Sequence, residues 1–207
     1  VPKPPSIFQN LAFFATAAAE SDLPSHAGVE IAFAGRSNAG KSSAINALAN
    51  RSRLAFVSKT PGRTQHINLF SLGADRYLVD LPGYGYAKVP RDMKRYWETL
   101  VAGYLQNRAQ LLGLVVVMDA RHPLMPLDVQ LIEWFALRGR PLHALLTKAD
   151  KLNRQQADLQ RRKVLEALSD IPDATVQLFS APDRTGVEDA ESVLASWLQL
   201  PVRNAAG

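Results

Sequence analysis

The chain has 207 residues, 47% of them apolar, with no cysteine, a formal net charge of +5 and an isoelectric point near 9.6. This is enough apolar material for one domain around one core, and the lack of cysteine excludes disulfides and cysteine-zinc centres. No apolar run reaches the roughly 20 residues of a membrane-spanning helix, so no membrane partner is expected; the lack of cysteine is consistent with the cytoplasm, and a monomer is expected.

Residues 1–28 open with prolines, continue as the apolar stretch Phe8 to Ala19 and close on Ser21-Asp22-Leu23-Pro24. Gln9 and Asn10 interrupt the stretch and a nucleotide motif follows at once, which argues for an extension packing on the domain over a signal-peptide core. From residue 29 the pattern alternates. Strands are expected at 29–35, 66–72, 75–80, 113–119, 142–147 and 175–179, and helices at 41–50, 92–109, 127–138, 154–168 and 187–198. Such alternation predicts a doubly wound α/β domain over 29–200: a six-stranded, mostly parallel sheet with helices on both faces. Its one antiparallel strand comes from the hairpin 66–72 against 75–80, turning at Gly73-Ala74. Residues 201–207 are left as a tail.

Within this frame, Gly35-Arg36-Ser37-Asn38-Ala39-Gly40-Lys41-Ser42 is a complete G-x-x-x-x-G-K-[ST] loop between an apolar strand and a helical segment. A chance match in a glycine-rich turn would lack that context. The loop turns successive N–H groups towards an anion, and the helix beginning near Gly40 adds its positive end. Residues 35–43, through Ser43, are therefore assigned to nucleotide phosphates. Lys41 would reach the β- and γ-phosphates and the Ser42 hydroxyl would hold Mg²⁺.

Asp80-Leu81-Pro82-Gly83 ends the next strand as D-x-x-G, with Asp80 serving Mg²⁺ and Gly83 meeting the γ-phosphate. By itself it would read as a plain turn. Upstream, Thr64 in Lys59-Thr60-Pro61-Gly62-Arg63-Thr64 is the first candidate for a switch threonine on Mg²⁺, with Thr60 its competitor. Thr147-Lys148-Ala149-Asp150 follows a buried strand and has the [NT]-K-x-D form of a guanine site. The Asp150 carboxylate matches the N1–H and amino donors of guanine. Adenine has no such pair, which disfavours an ATP-dependent kinase. The Lys148 stem would cover the ring face. Last, Ser180-Ala181 would offer the Ala181 N–H to guanine O6, while Pro182 has no N–H to give.

These strings together resemble the EngB family of bacterial ribosome-assembly GTPases, in the TRAFAC class, from about residue 5 to 200. The likeness rests on Gly28 through Ser43, Ser58 through Gln65, Asp80 through Ala87 and Met118-Asp119-Ala120-Arg121-His122-Pro123-Leu124. Ser180-Ala181-Pro182 departs from the more frequent Ser-Ser-Leu of the family. The resemblance implies GTP/GDP and Mg²⁺ binding, slow intrinsic hydrolysis and a role in assembling the large (50S) ribosomal subunit, with rRNA as a partner. Asn38 matches the position that binds K⁺ in related potassium-activated GTPases, weighed evenly against a loop-stabilising asparagine. Lys41, Thr64, Gly83 and Asn38 are the catalytic set.

Tyr84 stands where Ras-like enzymes place the glutamine that orients water. A phenol is poorly suited to hold that water, and Gly85 and Tyr86 suggest a mobile, partly aromatic loop instead, so unaided chemistry should be slow. Basic groups at Arg51/Arg53/Lys59/Arg63 and Arg91/Lys94/Arg95 border both switches and are read towards RNA, whereas Arg161-Arg162-Lys163 reads as a solvated face. The function expected is a GTP-hydrolysing switch. The alternative is a nucleotide-gated module that recruits protein partners, for example in cell division, with incidental hydrolysis.

Overall fold

The computed structural model of the chain describes residues 6–55, 66–85 and 91–200, with side chains throughout except over 91–98. In chain order the elements are β1 (Ala12–Ala17), β2 (Val29–Gly35), α1 (Lys41–Leu48), β3 (Ile67–Gly73), β4 (Arg76–Asp80), α2 (Arg91–Asn107), β5 (Leu111–Asp119), α3 (Pro126–Ala136), β6 (Leu142–Thr147), α4 (Arg154–Ala167), β7 (Thr175–Leu178) and α5 (Val187–Trp197). The strands form one sheet in the order β1-β3-β4-β2-β5-β6-β7.

Both neighbours of β3 run antiparallel to it, and every other pair is parallel. The single antiparallel strand is as expected. The count is not, because β1 adds a seventh strand at the edge. Its sequence, Ala-Phe-Phe-Ala-Thr-Ala, lacks the apolar–polar alternation that marks a half-buried strand, so pairing with β3 makes it a strand where local pattern does not. The hairpin turns at Ala74-Asp75, one residue later than expected, with φ of 47° and 57°. Two consecutive positive φ values make a two-residue type I′ turn, whose twist matches the flanking strands.

Central strands β2, β5 and β6 are almost wholly buried and read as near-continuous apolar runs, broken by Glu30 in β2 and His143 in β6, since helices cover both sheet faces. Alternate residues sort to the two sides. Ile31, Phe33, Val115 and Val117 pack with Ile45 and Leu48 of α1 and Leu194 of α5, joined there by Phe8 and Leu11 from the N-terminal stretch. Ala32, Ala34, Leu114 and Val116 pack with Tyr104 of α2, Phe135 of α3 and Val164 of α4. Register places Phe33 beside Asp80, Gly35 beside Val117 and Asp119 beside Thr147. The carboxyl ends of β2, β4, β5 and β6 therefore share one edge, and β2 sits where the strand order reverses. That crevice is where doubly wound sheets take ligands.

Candidate nucleotide site

The loop from β2 to α1 is held by close approach on two sides. A Cβ on Gly35 would lie 2.6 Å from the Val117 carbonyl of β5, so a side chain there would push the loop off the sheet. Gly40 caps α1 at φ 97°, and a Cβ on it would meet the Thr147 hydroxyl at 3.2 Å. Both glycines of the motif are thus required by backbone geometry as well as by the ligand. The Ala39 N–H closes the turn on the Arg36 carbonyl at 2.9 Å, and the Ser37 N–H donates to the Tyr84 carbonyl at 2.7 Å. Ser42 and Ser43 lie in the first turn of α1, partly exposed.

Lys41 and Asp80, 8% and 2% exposed, form a buried ion pair. The residue assigned to phosphates and the carboxylate assigned to Mg²⁺ therefore converge from α1 and the end of β4. Gly83 is buried between Asp80 and Tyr84. Thr64 and its competitor Thr60, with Lys59, Arg63 and Tyr86, lie outside the described residues. The approach to that segment is fixed, because the Asn46 side chain of α1 takes Ala55 by both backbone groups, at 2.7 and 2.9 Å.

Tyr84 has a place the sequence did not suggest: it is 2% exposed, and its phenol donates to Asp128 at 2.6 Å. Burial, and then the Asp128 charge, push its ionisation well above the ordinary range. The other Asp128 oxygen accepts the Met125 N–H at 3.1 Å and so caps α3. Burial raises the Asp128 pKa, although its hydrogen bonds work against the rise. Where a water-orienting glutamine would project, this chain has an anchor pinning the D-x-x-G loop to α3.

On the base side, the Thr147 hydroxyl lies within reach of the carbonyls of Ala39 and of Met118, the latter at 3.1 Å. It binds the phosphate loop to the sheet. Lys148, at φ 58°, donates to the carbonyl of the exposed Asn38 at 2.7 Å and to Asp119 at 2.9 Å. Burial opposes ionisation of Asp119, but hydrogen bonds from Arg121 and Lys148 outweigh it and hold this carboxyl well below the usual range. Asp150 accepts the hydroxyl of the fully buried Ser180 at 2.8 Å and pairs with Lys151 at 2.9 Å. Lys151 first and Ser180 second lower its pKa.

A family model described as "50S ribosome-binding GTPase" matches residues 30–148. "Probable GTP-binding protein EngB" of Methylobacillus flagellatus is 59% identical over 94% of this chain and 95% of that protein. Its counterpart in Thiobacillus denitrificans is 58% identical over 90% of each. The chain belongs to the EngB family. A crystal structure of a probable GTP-binding protein engB aligns with a TM-score of 0.68 over 83% of this chain and 99% of that one. At 21% identity this shows the shared fold. The EngB-family chain is a single-domain P-loop GTPase.

Sequence reasoning assigned no role to Asp119, Asp128 or Arg184 of this EngB-family site. Asp119 ends β5 on the functional edge, a position that could have marked it. Arg184 reaches Asn50 at 3.2 Å across a cavity of about 380 Å³ lined also by Ser43, Asn46, Arg51 and Ala181. Two of those residues, Ser43 and Ala181, were assigned to nucleotide, so the cavity opens beside the base corner.

Proposed function

We propose that the chain is a slowly hydrolysing GTP switch, cytoplasmic and monomeric, that acts in assembly of the large ribosomal subunit. The observation that carries the nucleotide reading is Asp150, aimed by the buried Ser180 hydroxyl in a corner that Lys148 ties to the phosphate loop. The match to a family described as ribosome-binding supports the choice of partner. An N-terminal extension (1–28), a G domain (29–200) and a tail (201–207) are the parts of this proposal.

Asp150 would accept the guanine N1–H and amino group, the Ala181 N–H would face O6, and the Lys148 stem would cover the ring. On binding, Lys41 exchanges the Asp80 carboxylate for phosphate oxygens. The Ser42 hydroxyl would then hold Mg²⁺ directly and Asp80 through water, with Thr64 the third member of an all-oxygen set suited to that ion. Bound Mg²⁺ would neutralise charge on the phosphoryl oxygens. Asn38 would hold K⁺, whose charge would help to neutralise that developing on the phosphates. Gly83 follows the γ-phosphate, and its loop is hinged on Tyr84, whose anchorage to Asp128 limits what moves.

The test is GTP turnover in Na⁺ and in K⁺, each with and without purified large subunits, alongside co-sedimentation in GDP and in an uncleavable GTP analogue. Stimulation by K⁺ alone assigns activation to Asn38, and stimulation only by subunits makes the ribosome the activator. Co-sedimentation indifferent to nucleotide, or no turnover under any condition, overturns the switch.

A further inference from the structure

The sheet edge opposite the candidate site carries charge that nucleotide binding does not use. After α3 the chain runs Leu137-Arg138-Gly139-Arg140-Pro141 into the first residue of β6, at the amino ends of the parallel strands. The Arg138 N–H bonds to the Phe135 carbonyl at 2.9 Å and the Gly139 N–H to Ala136 at 3.1 Å, so helical winding continues past the end of α3. Trp134, Leu137 and Arg138, at i, i+3 and i+4, therefore share a face. Trp134 is 42% exposed and Leu137 88%.

Arg138 donates to the Gln106 carbonyl, and the Arg140 guanidinium rests 3.4 Å from that of Ala109. Among the described residues no carboxylate pairs with either. Elsewhere Arg161 and Arg162 share Asp158, Arg121 takes Asp119 and Arg108 takes Glu30, whereas Arg76, like this pair, donates to main-chain carbonyls, those of Leu198 and Ala74. Glu133, the exposed acid beside Trp134, bonds neither guanidinium. Burial, and then the charge of Arg138, lower the Arg140 pKa, which marks the two guanidiniums as near neighbours that repel. Two like charges braced on main-chain carbonyls, without an acid, suit an external polyanion.

We propose that Arg138, Arg140, Trp134 and Leu137 form an RNA-binding surface, the guanidiniums taking backbone phosphates and Trp134 stacking an unpaired base. Guanidiniums pair with backbone phosphates, and single-stranded bases stack on open aromatic faces. The surface builds on the ribosomal reading above, which supplies an RNA-rich partner. It adds a contact at the far end of the sheet from Lys41 and Asp150, so its strength is independent of nucleotide.

The experiment measures anisotropy of a labelled RNA hairpin with an unpaired loop, and sedimentation with purified large subunits, in GDP and in the uncleavable analogue. In Arg138→Ala/Arg140→Ala both affinities fall about tenfold near 0.1 M salt, and the slope of log affinity against log salt shrinks by about 1.5. Both nucleotide states show the same loss. Arg138→Lys/Arg140→Lys recovers most of the affinity, and Trp134→Ala weakens the hairpin about tenfold. GDP affinity stays at the wild-type value in all of them, which certifies the fold, and Arg161→Ala/Arg162→Ala binds RNA normally. If wild type binds both probes and the double alanine variant matches it, the surface is overturned and the ribosomal reading stands. Hairpin binding lost in the variant, with no subunit binding by wild type, keeps the surface and removes the ribosomal reading. Wild type that binds neither overturns both. Subunit binding that needs Trp134 yet ignores salt and free RNA makes the partner a protein and overturns the RNA assignment.

Discussion

Asp150 shows how one buried hydroxyl can direct a carboxylate. Its carboxylate is held by Lys151, whose side chain is 61% exposed, and by Ser180, which is fully buried. The lysine pair is screened by water and worth little. The Ser180 bond is shielded and sets the direction of the carboxylate. Ser180→Ala should cost about 1 kcal/mol of binding, roughly fivefold, for GTP and GDP alike. Titration with a fluorescent GDP reads this directly, and unchanged affinity would mean that the loop backbone alone aims Asp150. Ala74 is a different case, since φ 47° places a Cβ in the left-handed region for no ligand's sake. Ala74→Gly relieves strain of about 1 kcal/mol against the extra freedom of glycine when unfolded. A melting temperature raised by up to about 4 °C is expected, and a fall would show that the turn tolerates alanine without strain.

At the scale of elements, β6 and β7 are joined by more than their ladder. His143 of β6 is 1% exposed, 2.7 Å from the Thr175 hydroxyl and 3.1 Å from the Gln177 side-chain oxygen, with Trp197 edge-on to the ring. Burial lowers its pKa from 6.5 to about 4, with the Gln177 bond opposing. The folded ring stays neutral, so the unfolded chain binds the extra proton as pH falls from 6.5 towards 4. Stability is therefore lost with acidification across that window, by about 3 kcal/mol once pH is below 4. Urea unfolding from pH 7 to 4 should show this loss in wild type and a much smaller one in His143→Gln. Parallel curves would exclude the histidine as the source.

The same strands explain what was legible beforehand. β2, β5 and β6 are buried on both faces, so their sequences are apolar runs that no helix period fits. The strand–loop–helix setting of the phosphate loop was legible because its motif fixes residue types at fixed spacing. β1 was hidden, since its pairing of Ala17 with Ile67 is non-local. Asp128 was hidden for a similar reason: its role depends on Tyr84, 44 residues earlier, being buried beside it. Nothing in the local sequence around Tyr84 tells that α3 packs over it.

Across the whole molecule, the two edges of the sheet divide the work. Lys41, Asp80, Thr147 and Asp150 lie at the carboxyl edge. At the amino edge Glu30 is fully buried, accepting from Tyr104 at 2.7 Å and Arg108 at 2.6 Å, with His26 at 2.8 Å. The Gly28 N–H donates to the other His26 nitrogen at 3.1 Å, which leaves Nε2 to donate to Glu30. Arg108 also reaches the Pro24 carbonyl at 2.8 Å. Residues 24–28, β2 and the end of α2 are thus fastened by one carboxylate. Glu30→Gln keeps the shape and strands the Arg108 charge, which should cost about 3 kcal/mol and lower the melting temperature by roughly 6–12 °C. Adding Arg108→Met removes the stranded charge and should restore most of that loss, because a buried pair replaced whole is far less costly than one broken. GDP affinity of the folded protein should be unchanged in both variants, since the cluster lies at the opposite edge from the phosphate loop. If Glu30→Gln weakened GDP binding in step with stability, the amino edge would be coupled to the nucleotide through α2, and the division between a stabilising edge and a chemical edge would fail.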